Sequence, residues 1–115
     1  MKLRVNPEAI NDIADIKKYI RDELGNPAAA KRVVDNIVKS YKSLRKTPYI
    51  GQQLSALIRI ANDYRYLVCG NYLIFYKTDV NIISVHRVLY GKRDYCSILF
   101  NFDSSVDLFS SENQE

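Results

Sequence analysis

The sequence contains no tryptophan, one histidine and only two cysteines, Cys69 and Cys96, among its 115 residues. Two cysteines do not provide a disulfide framework, so we expect the chain to fold in a reducing cytoplasm. One histidine and two distant cysteines offer no ligand spacing for zinc, so neither a metal nor a cofactor is expected. No apolar run approaches the roughly 18 residues needed to span a bilayer, and no membrane partner is expected.

Standard catalytic motifs are missing as well. The chain has no phosphate-binding glycine loop, no GxSxG, no HExxH and no nucleophile paired with a base at a recognisable spacing. Residues 1–9 reach polar side chains too soon for a signal peptide. With no catalytic motif to follow, the distribution of charge is the first indication of function.

The charge is divided unevenly along the chain. Residues 1–50 carry eleven Lys/Arg and six Asp/Glu, residues 51–100 carry six and three, and residues 101–115 carry four acids and no base. We therefore predict one cationic domain over residues 1–100 and an acidic, loose tail over residues 101–115. A cationic body favours nucleic acid or acidic proteins as partners, although the same charge also serves solubility.

Apolar runs rich in β-branched and aromatic residues predict three consecutive strands, Tyr64–Cys69, Tyr72–Lys77 and Asn81–Leu89. The breaks at Gly70-Asn71 and Thr78-Asp79 are short, so these strands should pair antiparallel as a meander.

Three other segments are shorter and less regular. Lys2–Val5 predicts an edge strand, and Leu57–Ala61 predicts a further short strand. Asp94–Phe100 fits either a short turn of helix or a final strand.

Two amphipathic helices are predicted before the strands. The first begins at Asn6-Pro7 and ends at Gly25, and the second runs from Asn26-Pro27 to about Lys46. In both, asparagine can cap the helix, and proline takes the first helical position, where its missing N–H would have had no partner. The expected apolar stripes are Ile10, Ile13, Ile16, Ile20 and Leu24 in the first helix, and Ala30, Val33 or Val34, Ile37, Tyr41 and Leu44 in the second.

Charged residues of the first helix, Asp12 and Asp15 among them, are assigned to its exposed face. A hairpin of two such helices cannot bury both apolar stripes alone, so it should lie on the sheet. The predicted fold class is therefore α+β: a short N-terminal strand, then an antiparallel two-helix hairpin packed on a three- to four-stranded antiparallel sheet.

Candidate site residues concentrate near the end of the third predicted strand. Arg87, Lys92 and Arg93 should converge on one sheet edge if Gly91 turns the chain, and arginine forks bind phosphate oxygens in pairs. The alternative is a solvated turn in which Asp94 pairs with one of the arginines.

His86 lies inside an apolar strand, where a half-buried structural histidine is commoner than a general base. Strand alternation places it on the face of Ser84 and Val88, opposite Arg87. The two would act together only if a bulge intervened.

Six tyrosines near the predicted sheet either stack on RNA bases or fill half-buried faces: Tyr64, Tyr66, Tyr72, Tyr76, Tyr90 and Tyr95. We expect packing for Tyr72 and Tyr76 and leave the roles of Tyr90 and Tyr95 open.

The segments NYLIFY at 71–76 and VHRVLYGKRDY at 85–95 resemble the C-terminal half of the RelE/ParE toxin superfamily. The helix hairpin before the sheet fits the same layout, so the likeness covers roughly residues 1–100. The resemblance implies a small cytoplasmic toxin of a type II toxin–antitoxin pair. It also implies a hetero-oligomer in which a cognate antitoxin lays a helix or an extended segment over the toxin.

Two branches of the superfamily imply different mechanisms. RelE-like members cleave mRNA on the ribosome, where lysines, arginines and a tyrosine assist attack of the 2′-hydroxyl, whereas ParE-like members poison DNA gyrase. Of the RelE-like catalytic positions, this chain matches the arginine at Arg93. The other arginine is replaced by Leu73 and the tyrosine by Leu99, and the paired lysines fall near Tyr64 and Tyr66.

Four residues are candidates to substitute for the missing groups: Arg65, Arg87, His86 and Tyr95. With one clear match, the resemblance favours a ParE-like toxin that acts by binding a target such as DNA gyrase. A RelE-like, ribosome-dependent mRNA endoribonuclease and a non-toxic antitoxin-binding module are the alternatives. A further hypothesis is that the acidic tail folds back over the cationic groove in the manner of an antitoxin segment.

Overall fold

The computed structural model describes residues 1–101, so the hypothesis about the acidic tail falls outside the described residues from position 102 on. The elements in chain order are β1 (Lys2–Val5), α1 (Pro7–Lys18), α2 (Pro27–Lys42), β2 (Gln52–Gln53), β3 (Arg65–Cys69), β4 (Tyr72–Thr78), β5 (Ile82–Tyr90) and α3 (Tyr95–Phe100). A π-helical turn continues α1 over Tyr19–Glu23, and 3₁₀ turns follow α2 at Ser43–Arg45 and β2 at Leu54–Ala56. None of the helices in this range has the length and apolar character that crossing a membrane requires.

The strands form one sheet in the order β1-β5-β4-β3-β2. β3, β4 and β5 pair antiparallel, as the predicted meander requires. β1 is an edge strand and pairs in parallel with β5, because the helical hairpin carries the chain back to the end of the sheet from which β1 started. The predicted α+β class is confirmed, and the one difference in pairing is that β1 joins the antiparallel strands as a parallel edge.

The prediction of a short strand at Leu57–Ala61 is wrong. These residues form a turn and bends with a single bridge residue, Ile58. The strand beside β3 is β2, which pairs with Arg65 and Tyr66. The apolar pattern over 57–61 reflects burial rather than strand pairing, since Ile58 is 2% exposed and packs under the sheet.

Both helices begin at the predicted prolines, but their asparagines behave differently. The Asn26 side chain caps α2 by accepting a hydrogen bond from the Ala29 N–H at 3.0 Å. Asn6 makes no side-chain cap, and its N–H donates to the Val85 carbonyl at 2.9 Å, which continues the pairing of β1. Gly25 ends the first helical segment with a φ of +62°, a conformation that favours glycine.

The stripe of the first helix is displaced from its predicted position. Ile10 and Leu24 are 54% and 58% exposed, whereas Ala9 and Asp12 are buried. α1 is therefore rotated so that a carboxylate faces the sheet. The stripe of the second helix is confirmed by three buried residues: Ala30, Ile37 and Leu44.

Both faces of the sheet are covered. The two long helices pack on one face over a core that includes Ile37, Ile74 and Val85. We call the opposite side the lower face; there the 3₁₀ turn at Leu54 and the helix α3 pack around Phe75. The C-terminal segment thus takes the helical alternative of the two that its sequence allows.

Tyr76 fixes the loop before β2. Its side chain is fully buried, and its hydroxyl accepts a hydrogen bond from the Gly51 N–H at 2.9 Å. A Cβ at position 51 would lie 2.5 Å from the Tyr76 hydroxyl and 2.8 Å from the Tyr66 carbonyl oxygen. Position 51 therefore requires glycine because the loop approaches the sheet so closely.

We predict that Gly51→Ala destabilises the fold by about 2 kcal/mol, a typical cost of overpacking a filled site. Gly91→Ala is the matched control, because a Cβ there first meets the Asn71 carbonyl at an ordinary 3.4 Å. Chemical denaturation followed by circular dichroism measures both. Equal midpoints for the two variants would contradict the contact between the loop and Tyr76.

Candidate functional site

Asp12 lies beside the part of β5 that has no pairing partner in β1. β1 pairs with residues 82–85 of β5 and ends at Val5. The Asp12 carboxylate takes over beyond that point, and Oδ2 accepts a hydrogen bond from the Val88 N–H at 2.9 Å. The same carboxylate accepts hydrogen bonds from Nε and Nη2 of Arg87, each at 2.7 Å. A bidentate ion pair and a backbone hydrogen bond therefore attach α1 to the edge of the sheet.

This contact gives Arg87 a structural role. Asp12 is 8% exposed, and its hydrogen bond raises the pKa of Arg87, so the guanidinium stays charged. Removing one partner of such a pair leaves the other charge unpaired in a poorly solvated position, which lowers the free energy of unfolding. The edge of Arg87 that carries Nε and Nη2 is consequently occupied by Asp12.

Sequence reasoning missed Asp12 because it treated every charged residue of the first helix as exposed. The spacing of Asp12 from its apolar neighbours in the first helix could have indicated that it is buried. Asp12 follows Ala9 by three residues and precedes Ile16 by four, so all three share one helix face. A carboxylate inside an apolar stripe indicates a buried partner elsewhere in the chain.

A bulge interrupts β5 at His86. Phe75 pairs with Arg87 and Tyr76 pairs with Val85, so His86 is the extra residue between two registered pairs. The extra residue shifts the alternation of side chains by one, so that the neighbours His86 and Arg87 can lie on the same face of the sheet.

His86 and Arg87 line one pocket of about 250 Å³ beside α3. Val88 is buried under the helices instead. The prediction placed His86 on the face of Ser84 and Val88, opposite Arg87. His86 does share the face of Ser84, but the parts about Val88 and Arg87 are wrong, because the bulge that the prediction allowed as an exception is present.

The His86 imidazole is half-buried among aromatic and cationic groups. It makes an edge-to-face contact with Tyr64, with the ring centres 5.4 Å apart. The Lys77 ammonium lies 4.4 Å from the centre of the Tyr64 ring. Burial lowers the pKa of His86, and the positive charges of Lys77 and Arg4 lower it further, against the opposing effect of Asp63.

A groove of about 570 Å³ lies between the end of the first helix and the adjoining ends of β4 and β5. The π-helical turn presents Tyr19 and Leu24 to this groove, and they are 54% and 58% exposed. Tyr90, at the end of β5, is 41% exposed on the other wall. We call this surface the helix–sheet groove; its lining is mainly apolar and aromatic, with Asp12 and Asp15 on the helix side and Arg93 as its cation, and it includes Ile16, Tyr19, Leu24, Tyr72 and Tyr90.

Arg93 contributes the cation of the helix–sheet groove. Within residues 1–101 its side chain makes no ion pair or hydrogen bond. Asp94, which the sequence offered as a partner for an arginine, instead caps α3 by accepting a hydrogen bond from the Ser97 N–H at 3.2 Å. Arg87 and Arg93 line different pockets.

The remaining predicted site residues lie elsewhere. Arg65 is on β3 and donates hydrogen bonds to the carbonyls of Tyr49 and Gly51 at 3.2 and 2.6 Å. Tyr95 is 8% exposed and packs on Phe75, with the ring centres 5.2 Å apart. Burial raises the pKa of Tyr95 to about 12, so its phenol is a poor proton donor near neutral pH.

Of the five predicted site residues, His86 and Arg87 share one pocket, and Arg93 lines the helix–sheet groove. Both cysteines are free thiols. Over the described range 1–101, no three His, Cys, Asp or Glu side chains lie close enough together to hold a metal ion.

The family model for the ParE toxin of type II toxin–antitoxin systems, parDE, matches residues 3–95. That match spans most of the chain and nearly all of the described elements. The chain belongs to the ParE toxin family.

A solved structure with the same fold comes from the chromosomal ParDE TA system of P. aeruginosa. The TM-score is 0.66 at 19% sequence identity, and the match covers 78% of this chain and 95% of that chain. At this identity the likeness shows the shared fold. No curated protein matches the sequence.

This ParE toxin carries leucines where RelE-like chains are expected to carry an arginine and a tyrosine. Both leucines, Leu73 and Leu99, pack against the lower-face core. Arg93, the matching cation, opens instead onto the helix–sheet groove. The positions of a RelE-like site are therefore used here mainly for packing.

We predict that His86 titrates with a midpoint below 6.5, its ordinary value. As the single histidine of the ParE toxin, it gives one imidazole signal in a proton NMR titration. Because the folded state disfavours the charged form, the unfolded chain binds the proton more readily, and stability falls as the pH drops below about 6.5.

The His86→Gln variant should lose this part of the pH dependence, which begins as the pH falls below the ordinary histidine pKa of 6.5. A midpoint above 6.5, or a pH dependence of stability that the variant leaves intact, would contradict the described environment of His86.

Proposed function

We propose that this chain is the toxin of a type II toxin–antitoxin pair and that it arrests growth by binding a macromolecular target such as DNA gyrase. Membership of the ParE toxin family over residues 3–95 supports the toxin role. A cognate antitoxin is the second proposed partner, in line with the structural neighbour from a ParDE TA system.

The separation of the candidate catalytic groups supports binding rather than RNA cleavage. Attack of a 2′-hydroxyl on a phosphate needs a base, a leaving-group acid and cations within reach of one phosphodiester. Here Arg87 is paired with Asp12, and Arg65 is held by loop carbonyls. Tyr95 is buried with its pKa raised to about 12, which makes it a poor acid. These groups do not converge on one point.

The helix–sheet groove is the surface we assign to a protein partner. Exposed tyrosines and arginine are the residue types that contribute most to protein–protein interfaces. Tyr19, Leu24 and Tyr90 supply apolar area, and Arg93 supplies a cation that no described side chain neutralises. An antitoxin segment with apolar residues and a carboxylate has the chemistry to fill this groove.

The RelE-like alternative has one observation in its favour. The bulge brings His86 next to Arg87 in a single pocket, so an imidazole and a guanidinium could face one phosphate. The pairing of Arg87 with Asp12 weighs against this role, because substrate would have to compete with a bidentate carboxylate.

The test compares two assays on toxin freed from its antitoxin. We expect the chain to inhibit supercoiling by purified gyrase and to leave the mRNA in a reconstituted translation reaction intact. Induced in cells, Tyr95→Phe should still arrest growth, because the phenol takes no part in a binding mechanism.

Three outcomes would overturn the proposal in different ways. Ribosome-dependent cleavage of mRNA that Tyr95→Phe abolishes would establish the nuclease alternative. No growth arrest at all, with tight antitoxin binding retained, would establish a non-toxic binding module. Arrest without any effect on gyrase would leave the toxin role and refute the target.

A further inference from the structure

A row of polar side chains crosses three neighbouring strands on the lower face. Ser84 of β5 lies between Arg4 of β1 and Lys77 of β4, and it is in register with both. Residues directly opposite one another in a sheet share a face, so the three side chains form one line across it. Lys2 precedes Arg4 by two residues and extends the positive charge along β1 on the same face.

The two cations of the row are held differently: Arg4 contacts Ser84, whereas the Lys77 ammonium pairs with Asp63 at 3.1 Å and lies 4.4 Å from the centre of the Tyr64 ring. Arg4 Nη2 donates a hydrogen bond to the Ser84 hydroxyl at 3.2 Å, which holds the guanidinium against the sheet. Ser84 itself is 7% exposed, whereas Arg4 is exposed and Lys77 is 35% exposed. His86, two residues after Ser84 in β5, adds an imidazole on the same face.

We propose that the row formed by Arg4, Ser84 and Lys77 binds phosphate groups of a nucleic-acid backbone. Two cations on either side of a hydroxyl attract an anion, and because β1 and β4 each lie about 4.8 Å from β5, the long Arg4 and Lys77 side chains can reach one phosphate above Ser84. Separate donors on three strands suit the tetrahedral oxygens of a phosphate better than a planar carboxylate, which one arginine fork satisfies alone.

The extension of charge to Lys2 favours a polymer over a free nucleotide. Lys2 and Arg4 are two residues apart on one strand, so their charges are offset along the strand by about 7 Å. That offset lets neighbouring phosphates contact different cations. A mononucleotide has no second phosphodiester to place there.

Two carboxylates compete with an incoming phosphate. Asp63 pairs with Lys77 at 3.1 Å, and Glu8 lies near enough to affect His86. Asp63 is 78% exposed, and exposed ion pairs contribute little, so a polyanion can displace it. Removal of Asp63 should therefore strengthen phosphate binding, whereas loss of the cations should weaken it.

This inference goes beyond the proposed gyrase binding and does not require it. The test measures binding of the full chain to a fluorescent single-stranded oligonucleotide by anisotropy at several salt concentrations. Inorganic phosphate, a mononucleotide and poly-glutamate are the competitors.

We expect Arg4→Gln and Lys77→Gln each to weaken oligonucleotide binding at least fivefold and to reduce the salt slope by about 0.7. Ser84→Ala should weaken it about two- to fivefold without changing the charge, because Arg4 loses its anchor. Asp63→Asn should strengthen it. Circular dichroism establishes that each variant is folded.

The charge-matched controls are Arg32→Gln and Lys39→Gln, which alter exposed cations of α2 on the other side of the sheet. Equal weakening in the controls would overturn the proposal in favour of unspecific attraction to a basic protein. Binding to poly-glutamate but not to the oligonucleotide would overturn it in favour of an acidic protein segment. Equal competition by the mononucleotide would refute the backbone as the ligand.

Discussion

The carboxylate of Asp12 takes the place of a neighbouring strand along the part of β5 that β1 does not reach. β5 spans nine residues, but its parallel neighbour β1 covers only four of them. The rest of that edge would expose unpaired backbone groups next to a helix. Asp12 satisfies the Val88 N–H and at the same time neutralises Arg87, so the edge of the sheet and the packing of α1 are fixed together.

The cations of this ParE toxin differ in how far their side chains are engaged. Arg87 forms an ion pair with Asp12, and Arg65 donates a hydrogen bond to the Gly51 carbonyl in the loop before β2. Arg93 stays exposed in the helix–sheet groove, Arg4 stays exposed on the lower face, and Lys77 is held there by an exposed carboxylate, that of Asp63. A domain with these features offers two separate contact surfaces rather than one catalytic centre, which is the physical basis of the binding function we propose.

Local patterns were sufficient for the parts of the fold that local physics determines. Backbone chemistry explains why both long helices begin at a proline and why the first ends at Gly25. The short connections explain why β3, β4 and β5 pair as an antiparallel meander. Three features depend on distant partners and were not predictable in the same way. The parallel pairing of β1 depends on where the hairpin returns the chain, the burial of Asp12 depends on Arg87, and the bulge at His86 depends on how β4 and β5 register.

The coupling between Asp12 and Arg87 holds α1 on the edge of the sheet, and a double-mutant cycle on the free energy of unfolding measures it directly. The cycle uses Asp12→Asn, Arg87→Gln and the double variant. A buried bidentate pair predicts a coupling energy of about 2 kcal/mol, with the double variant more stable than the sum of the single losses implies. A coupling energy near zero would show that the two residues act independently, and it would contradict both the structural role of Arg87 and the case against catalysis.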